Sequence, residues 1–327
     1  MIAFQDPLGQ LPVKASTFAG DVDGVYYLCL AICAFFFFLI LGVLVFAVFK
    51  FRRRSPDQPA ASSMTHNTPL EVLWTVIPLI IVMIFFAWGW KGSMDMTYAP
   101  ADCLQYEAVG KQWEWQIKHP GSKTISINEM WVPVGKNVKV TIYSRDVLHS
   151  FFIPAFRCKR DTLPGRYQKV WFNATKLSPR DADGKSIGYN LFCAEYCGTN
   201  HSKMIGKVHV VTEEEFATKP WEILPADPWE LGQYIYERRC FTCHSIDGSI
   251  VVGPSFQGLW NKTESLADGS TVTVDEAYLH ESIQSPSAKI VKGFEGKQMT
   301  LFPDIIADEN QINGLIEFLK DPNKSTK

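Results

Sequence analysis

The first ninety residues contain two long runs without a charged side chain. Residues 25–49, VYYLCLAICAFFFFLILGVLVFAVF, and residues 72–90, VLWTVIPLIIVMIFFAWGW, are apolar all round rather than on one face. At about 1.5 Å of rise per residue the first reaches roughly 37 Å, more than the hydrocarbon core of a bilayer, and the second is long enough to cross. The pattern predicts a two-helix transmembrane hairpin with a kink at Pro78. From about Met94 the pattern changes to alternation. VKVTIYS (138–144), KVWFNAT (169–175) and GKVHVVT (206–212) read as strands with one buried face, separated by the turn clusters HPGS, RDTLPGR and SPRDADGK. Short strands with regular turns imply a β-sandwich of roughly 120 residues. TEEEFATKPWEILPADP reads as a link, and beyond it PWELGQYIYERRC and DENQINGLIEFLKD space their apolar residues by three and four, as helices do. The expected chain is multidomain: an N-terminal segment and hairpin over 1–93, an all-β domain over 94–224 and an all-α domain over 225–327.

Charge orients this arrangement. Lys50, Arg52, Arg53 and Arg54 lie between the spans and mark the cytoplasmic side, so both termini are expected outside. No positively charged n-region and short apolar h-region precede the first span, and no cleaved leader is expected. The net charge of −2 averages unlike parts. Residues 91–224 carry 18 Lys and Arg against 14 Asp and Glu, or +4, and residues 225–327 carry 9 against 15, or −6. Either this is ordinary surface variation, or two tethered domains of opposite sign attract each other. No nucleic-acid partner is expected. Eight cysteines in a chain of this length do not form a disulfide scaffold, and four of them fall in two short motifs.

The first motif is FCAEYCGTNHSKM. Cys197, His201 and Met204 have the order and spacing of a blue-copper loop, in which a thiolate, an imidazole and a weak thioether surround one soft ion. Cys193 is then one thiolate too many for a single copper. Two thiolates side by side can bridge two copper ions, and two ions call for two imidazoles. His149, in DVLHSFF after a predicted strand, is the candidate for the second, with Met204 and the backbone carbonyl of Glu195 as weak outer ligands. A Cys193–Cys197 disulfide and a Cys2His2 zinc site are the alternatives, and the methionine argues for copper.

These residues resemble a known family. C-x-E-x-C-x-x-x-H-x-x-M, here Cys193, Glu195, Cys197, His201 and Met204, is similar to the dinuclear copper A signature of subunit II of cytochrome c oxidase, and His149 fits the upstream ligand. The resemblance runs over roughly residues 20–215 and includes HNTPLEVLWTVIP (66–78), KQWEW (111–115) and RDTLPGR (160–166). It implies a cupredoxin-like sandwich on the outer face of the membrane, bound to a catalytic subunit I and to a subunit III. It also implies three roles: Trp113 where electrons arrive, Glu195 at a magnesium shared with subunit I, and Glu71 at the mouth of a proton-uptake path. Each has a plain alternative, namely sandwich packing, a surface carboxylate, and a favourable charge at a helix N-terminus.

The second motif, Cys240-Phe-Thr-Cys243-His244, is C-x-x-C-H, in which two thiols attach a haem covalently and the imidazole binds its iron. The second axial ligand is expected from Met299, the one methionine after the motif, with His280 as competitor; Tyr278 and Leu279 read as core. This part resembles class I cytochrome c over about residues 228–322. Together the two resemblances imply a cytochrome caa(3)-type oxidase subunit in the bacterial inner membrane, with its own haem c as donor to copper. A membrane quinol-oxidising complex or a small cytochrome c would lie upstream. Copper A-type nitric oxide reductases share the copper loop and hairpin and are the alternative; a membrane-anchored copper-delivery protein is a second, against which CFTCH speaks. Cys29 and Cys33 read as packing residues of the first span. Cys103 and Cys158 form a disulfide or stay free, and His66, His119 and His209 have surface or structural roles.

Overall fold

The computed structural model describes residues 9–59, 62, 64–297 and 299–324. Helices α1 (Ala19–Phe51) and α2 (Thr68–Thr97) contain the two apolar runs and continue past them at both ends. Their large side chains, among them Phe37, Leu44, Ile80 and Phe86, are exposed, and none of the most apolar stretch of either helix is buried in protein. Such surfaces suit lipid rather than water. Cys29 and Cys33 share this exposure and lie beside each other on α1. The start of α2 is fixed by a reciprocal cap: Asn67 Oδ1 accepts from Leu70 N at 3.2 Å, and Glu71 Oε1 accepts from Asn67 N at 2.9 Å. The helix runs unbroken through Pro78.

The middle of the chain forms a sandwich of two five-stranded sheets. Its strands are β1 (Leu104–Lys111), β2 (Glu114–Lys118), β3 (Ile125–Ile127), β4 (Glu129–Pro133), β5 (Asn137–Ser144), β6 (His149–Ile153), β7 (Cys158–Thr162), β8 (Gln168–Asn173), β9 (Tyr189–Cys193) and β10 (Ile205–Val211). One sheet has the order β3-β2-β1-β5-β8 and the other β4-β10-β9-β6-β7. The alternation read in the sequence is met in β5, where Val138, Val140 and Ile142 are fully buried. Trp115, Phe151, Phe156, Phe172 and Leu191 fill the space between the sheets, each contributing about 1.5–3 kcal/mol by leaving water. His119 and His209 are buried: His119 stacks on Trp221 at 4.2 Å and His209 on Trp131 at 4.1 Å. Burial pushes their imidazoles down to about 3 and about 4, so both are neutral structural groups. His66 is exposed.

The hairpin is fastened to the sandwich by one buried ion pair. Arg157 donates from Nε and Nη2 to the two carboxylate oxygens of Asp23 in α1, at 2.6 and 2.9 Å, and also to the carbonyls of Pro154 and Pro12. Asp23 is 1% exposed. A planar guanidinium with this many fixed acceptors sets the direction in which α1 leaves the sandwich.

After α3 (Glu213–Ala217) the chain enters the C-terminal domain, with α4 (Pro228–Ile235), a wider π-type turn over Tyr236–Cys240, a two-stranded hairpin of β11 (Thr263–Ser265) and β12 (Thr271–Thr273), then α5 (Glu276–Gln284), α6 (Pro303–Ile306) and α7 (Glu309–Lys320). Helices α4 and α7 cross at glycines: a Cβ on Gly232 would lie 2.1 Å from the Gly314 carbonyl oxygen. Around the crossing, Tyr236 stacks on Phe318 at 5.1 Å and Trp229 packs on the same ring.

The two outer domains meet at a polar junction. Arg239 pairs with Glu114 at 2.7 Å, both less than a tenth exposed, and Arg238 pairs with Glu129. Asn200 Nδ2 donates to Thr242 O at 2.6 Å and Asn128 Nδ2 to Arg238 O at 3.4 Å. The signs here reverse the net charges: the acidic domain supplies the arginines and the basic domain the glutamates. Net charge acts at long range, and the contact is decided by the few groups that are desolvated.

Gly232→Ala places a methyl group against backbone that cannot move aside, and overpacking of this kind costs about 1–3 kcal/mol or more. The denaturant midpoint of the C-terminal domain, followed in the full chain by near-ultraviolet circular dichroism, should fall.

Candidate metal centres

The copper-loop residues converge because β6 and β9 are neighbours. Phe151 pairs with Cys193 in register, and His149 lies two residues before Phe151, so its ring is on the same face as the thiol. The chain leaves β9 at Cys193, turns through His201–Lys203 and returns as β10, with Cys193 N bonded to Met204 O. His149 Nδ1 lies 3.8 Å from Cys193 Sγ, and His201 Nδ1 lies 3.5 Å from Cys197 Sγ. The thiols are 3.7 Å apart. This is well beyond a disulfide bond of about 2.05 Å, and both are free; at metal–sulfur distances of about 2.3 Å they are close enough to share an ion. Met204 Sδ lies 3.9 Å from Cys197 Sγ, and the Glu195 carbonyl oxygen 3.2 Å from Cys193 Sγ. Each imidazole thus lies beside one thiol, and the ligand atoms of His149, Cys193 and Cys197 all lie within 4.8 Å of one another, so both thiols face one cluster. His149, Cys193, Cys197 and Met204 are all buried.

Several neighbours hold this cluster that the motif does not announce. Asp146 accepts from His149 Nε2 at 2.8 Å, which turns Nδ1 toward the thiols. Gln112 Nε2 and Trp113 Nε1 both donate to the Cys197 carbonyl, at 2.7 and 3.2 Å. Gly110 is required because a Cβ there would lie 2.9 Å from His149 Cδ2. Asp146 was legible as D-x-x-H in RDVLH; Gln112 and Gly110 left no such mark. Burial pushes His149 down, but the Asp146 carboxylate and the Cys193 thiol outweigh it and hold the imidazole at about 9. Burial and the neighbouring Cys193 push Cys197 up. On Cys193 burial acts upward, but His149 and backbone N–H groups draw it below the usual thiol range. The metal-free pair thus gives up one proton readily and holds the second. The Glu195 side chain, partly exposed, has no hydrogen-bond or ion-pair partner among the described residues.

In the C-terminal domain Cys240, Cys243, His244 and Met299 line one cavity of about 330 Å³, whose wall also includes Trp113 of the sandwich. His244 Nδ1 donates to Pro254 O at 2.8 Å, leaving Nε2 as the metal-binding nitrogen. Its ring stacks on Phe256 at 4.4 Å, and burial pushes it down, toward the neutral form that ligation needs. Gly253 is fitted to this ring: a Cβ would lie 2.4 Å from His244 Cε1. Cys240 is pushed up to about 12 by burial and is a thiol. His280 does not line the cavity and binds Glu309 at 2.9 Å, so the competitor for the second axial position is excluded by its place. Tyr278 and Leu279 belong to the core and also to the cavity wall. Cys103 and Cys158 are buried free thiols, so the disulfide alternative is not realised.

Fold and sites define a class: a membrane-hairpin protein with a cupredoxin-like domain and a c-type cytochrome domain. Comparison with known proteins gives the family. Three family models match in succession: the transmembrane domain of cytochrome c oxidase subunit II over residues 6–89, its periplasmic domain over 125–211, and cytochrome c over 229–322. Cytochrome c oxidase subunit 2 of Synechocystis sp. is 30% identical over 255 residues, 64% of this chain and 74% of the relative. Cytochrome c oxidase subunit 2 of Alkalihalophilus pseudofirmus is 28% identical over 304 residues, 86% of this chain and 82% of the relative. The periplasmic domain of subunit II of cytochrome oxidase of Bradyrhizobium japonicum, a solved structure, is 32% identical and covers 37% of this chain and 94% of that one, with a TM-score of 0.32. The chain belongs to the cytochrome c oxidase subunit II family and carries a C-terminal cytochrome c domain. It is thereby a subunit of a haem-copper oxidase complex, and the two domain types imply copper A and haem c.

Because His149 and Cys197 both hold protons that ligation must displace, copper affinity should rise with pH. Titration of the metal-free full chain with copper should show weaker binding at pH 6 than at pH 8, with protons released on binding at both.

Proposed function

We propose that this subunit relays electrons from its own covalently bound haem c to a dinuclear copper centre and on to subunit I, where oxygen is reduced to water and protons are pumped. The observation that carries this reading is the convergence of two imidazoles, a thioether and a backbone carbonyl on two thiols 3.7 Å apart. One zinc ion held by both thiols and both imidazoles would leave Met204 and the Glu195 carbonyl unused. A dinuclear copper bound there would share one electron between two metals. His149, Cys193, the Glu195 carbonyl, Cys197, His201 and Met204 are the ligands in this reading, and Cys240, Cys243, His244 and Met299 hold the haem. Rigid packing of the ligands keeps their geometry nearly unchanged when the electron arrives, which lowers the reorganisation that transfer requires.

Trp113 links the two sites, since its ring lines the haem cavity while its N–H binds the carbonyl of Cys197. The unpartnered Glu195 carboxylate is available to a magnesium ion shared with subunit I. Glu71 would stand at the mouth of a proton path on the cytoplasmic side while also serving the α2 cap. The working units are 1–93, 94–224 and 225–327, in the bacterial inner membrane, with both termini and both cofactor domains outside. The electrons reach haem c from a membrane quinol-oxidising complex or a small cytochrome c. The relatives reported above carry the oxidase name, and no feature of the structure favours the nitric oxide reductase alternative.

The full chain, loaded with copper and haem in detergent, should give an electron paramagnetic resonance spectrum with hyperfine structure from one electron shared equally by two copper nuclei, beside a low-spin haem. Cys193→Ser should abolish the sharing, and Met299→Ala should remove the low-spin signature of haem c. A single-copper spectrum from the unaltered chain would refute the relay. In the assembled oxidase, Glu71→Ala should lower oxygen turnover and proton pumping together; unchanged turnover would leave Glu71 as a helix cap alone.

A further inference from the structure

The two loops that the proposed relay must connect touch directly. Asn200 Nδ2, in the copper-ligand loop, donates to the carbonyl of Thr242, inside the haem-attachment motif, at 2.6 Å. Asn200 is 5% exposed and Thr242 6%. Asn200 immediately precedes His201, and the Thr242 carbonyl belongs to the same peptide unit as the Cys243 nitrogen. One carboxamide therefore spans from the backbone of one motif to the backbone of the other. A buried amide is costly unless paired, and this one finds its partner on the opposite domain.

The surroundings hold the bridge still. His201 N bonds Gly198 O and Lys203 N bonds Asn200 O, which winds the copper loop into tight turns; Cys243 N and His244 N both bond Cys240 O, which does the same for the haem motif. The Arg239–Glu114 and Arg238–Glu129 pairs brace the segment that leads into CFTCH. Trp113 belongs to the same junction: its N–H is bonded to the copper loop and its ring lines the haem cavity, so its place against that cavity depends on how the two loops dock.

We propose that Asn200 is the positioning residue for haem-to-copper transfer: its carboxamide holds the two cofactor loops together and with them the Trp113 ring against the haem cavity. The inference rests on the relay proposed above. The step is a one-electron exchange in which the haem iron goes from ferrous to ferric and the copper centre is reduced by that electron. No bond breaks and no proton travels along the amide. The electron on the haem comes from the reduced external donor.

The test uses the full chain in detergent with both cofactors, an electron injected into the haem by a photoexcited ruthenium complex, and the haem-to-copper rate read by absorbance. Asn200→Leu keeps the volume and removes the donor; a buried carbonyl left without its partner shifts a docking equilibrium about tenfold. The rate should fall by that factor or more while the copper and haem spectra stay unchanged. In the copper-free, haem-loaded chain, hydrogen exchange over residues 240–244 should rise. An unaltered rate or an unaltered exchange pattern in Asn200→Leu would overturn the proposal. If the leucine variant fails to bind copper, Asn200→Ala, which also lacks the donor, gives the same comparison. Absence of the two-copper spectrum in the unaltered chain would instead overturn the relay itself.

Discussion

The pairing of β6 with β9 is the constraint on which the copper-loop geometry depends. It sets Phe151 opposite Cys193 and so brings His149 beside a thiol 44 residues away in the chain. A one-residue slip of β6 would turn His149 to the other face of the sheet, away from Cys193, leaving the loop with one imidazole. The buried core under this pair, with Trp115 edge-on to both Phe151 and His149, makes such a slip prohibitively expensive. The ligand geometry is therefore a consequence of sandwich packing, and the motif of thirteen residues could not assemble it alone.

The polar junction between the outer domains is costly to build. Removing Glu114 and Arg239 from water is repaid only by close geometry and further hydrogen bonds, and a well-packed apolar contact would be as stable or more so. What charge and amide contacts supply here is a defined orientation. Arg239, Arg238, Asn128 and Asn200 each have one acceptor position across the boundary, and together they fix which face of the haem domain meets the sandwich. That face includes the cavity shared by His244 and Trp113, so the orientation of the domains also sets how the two approach each other.

The hairpin makes a parallel case at the other end of the sandwich. A single arginine in the left-handed region, Arg157, gathers Asp23 and two carbonyls and joins the domain to α1. Both junctions use arginine, whose planar fork fixes direction as well as distance. The sandwich is thus joined by fixed polar contacts to α1 on one side and to the C-terminal domain on the other.

By itself the sequence determined what short-range chemistry can encode. Two uncharged runs specified the hairpin because helices this long and apolar all round call for lipid or a large protein core around them, and alternation specified strands within a residue or two of where β5, β8 and β10 lie. The copper and haem motifs were legible because their ligands are compressed into segments of twelve and five residues, and His149 because it follows a predicted strand, although in the structure it begins β6. Only the tertiary structure decided which distant groups support them. Gln112 meets Cys197 across 85 residues and Glu114 meets Arg239 across 125, and neither pair leaves a mark in local pattern. The same holds for Gly253 beneath His244 and for the charge reversal at the domain junction, where net charge pointed one way and the desolvated contacts point the other. Periodicity and spacing report what a residue's neighbours in the chain require; packing partners brought together by folding are set by the shape of the whole core, which no local window contains.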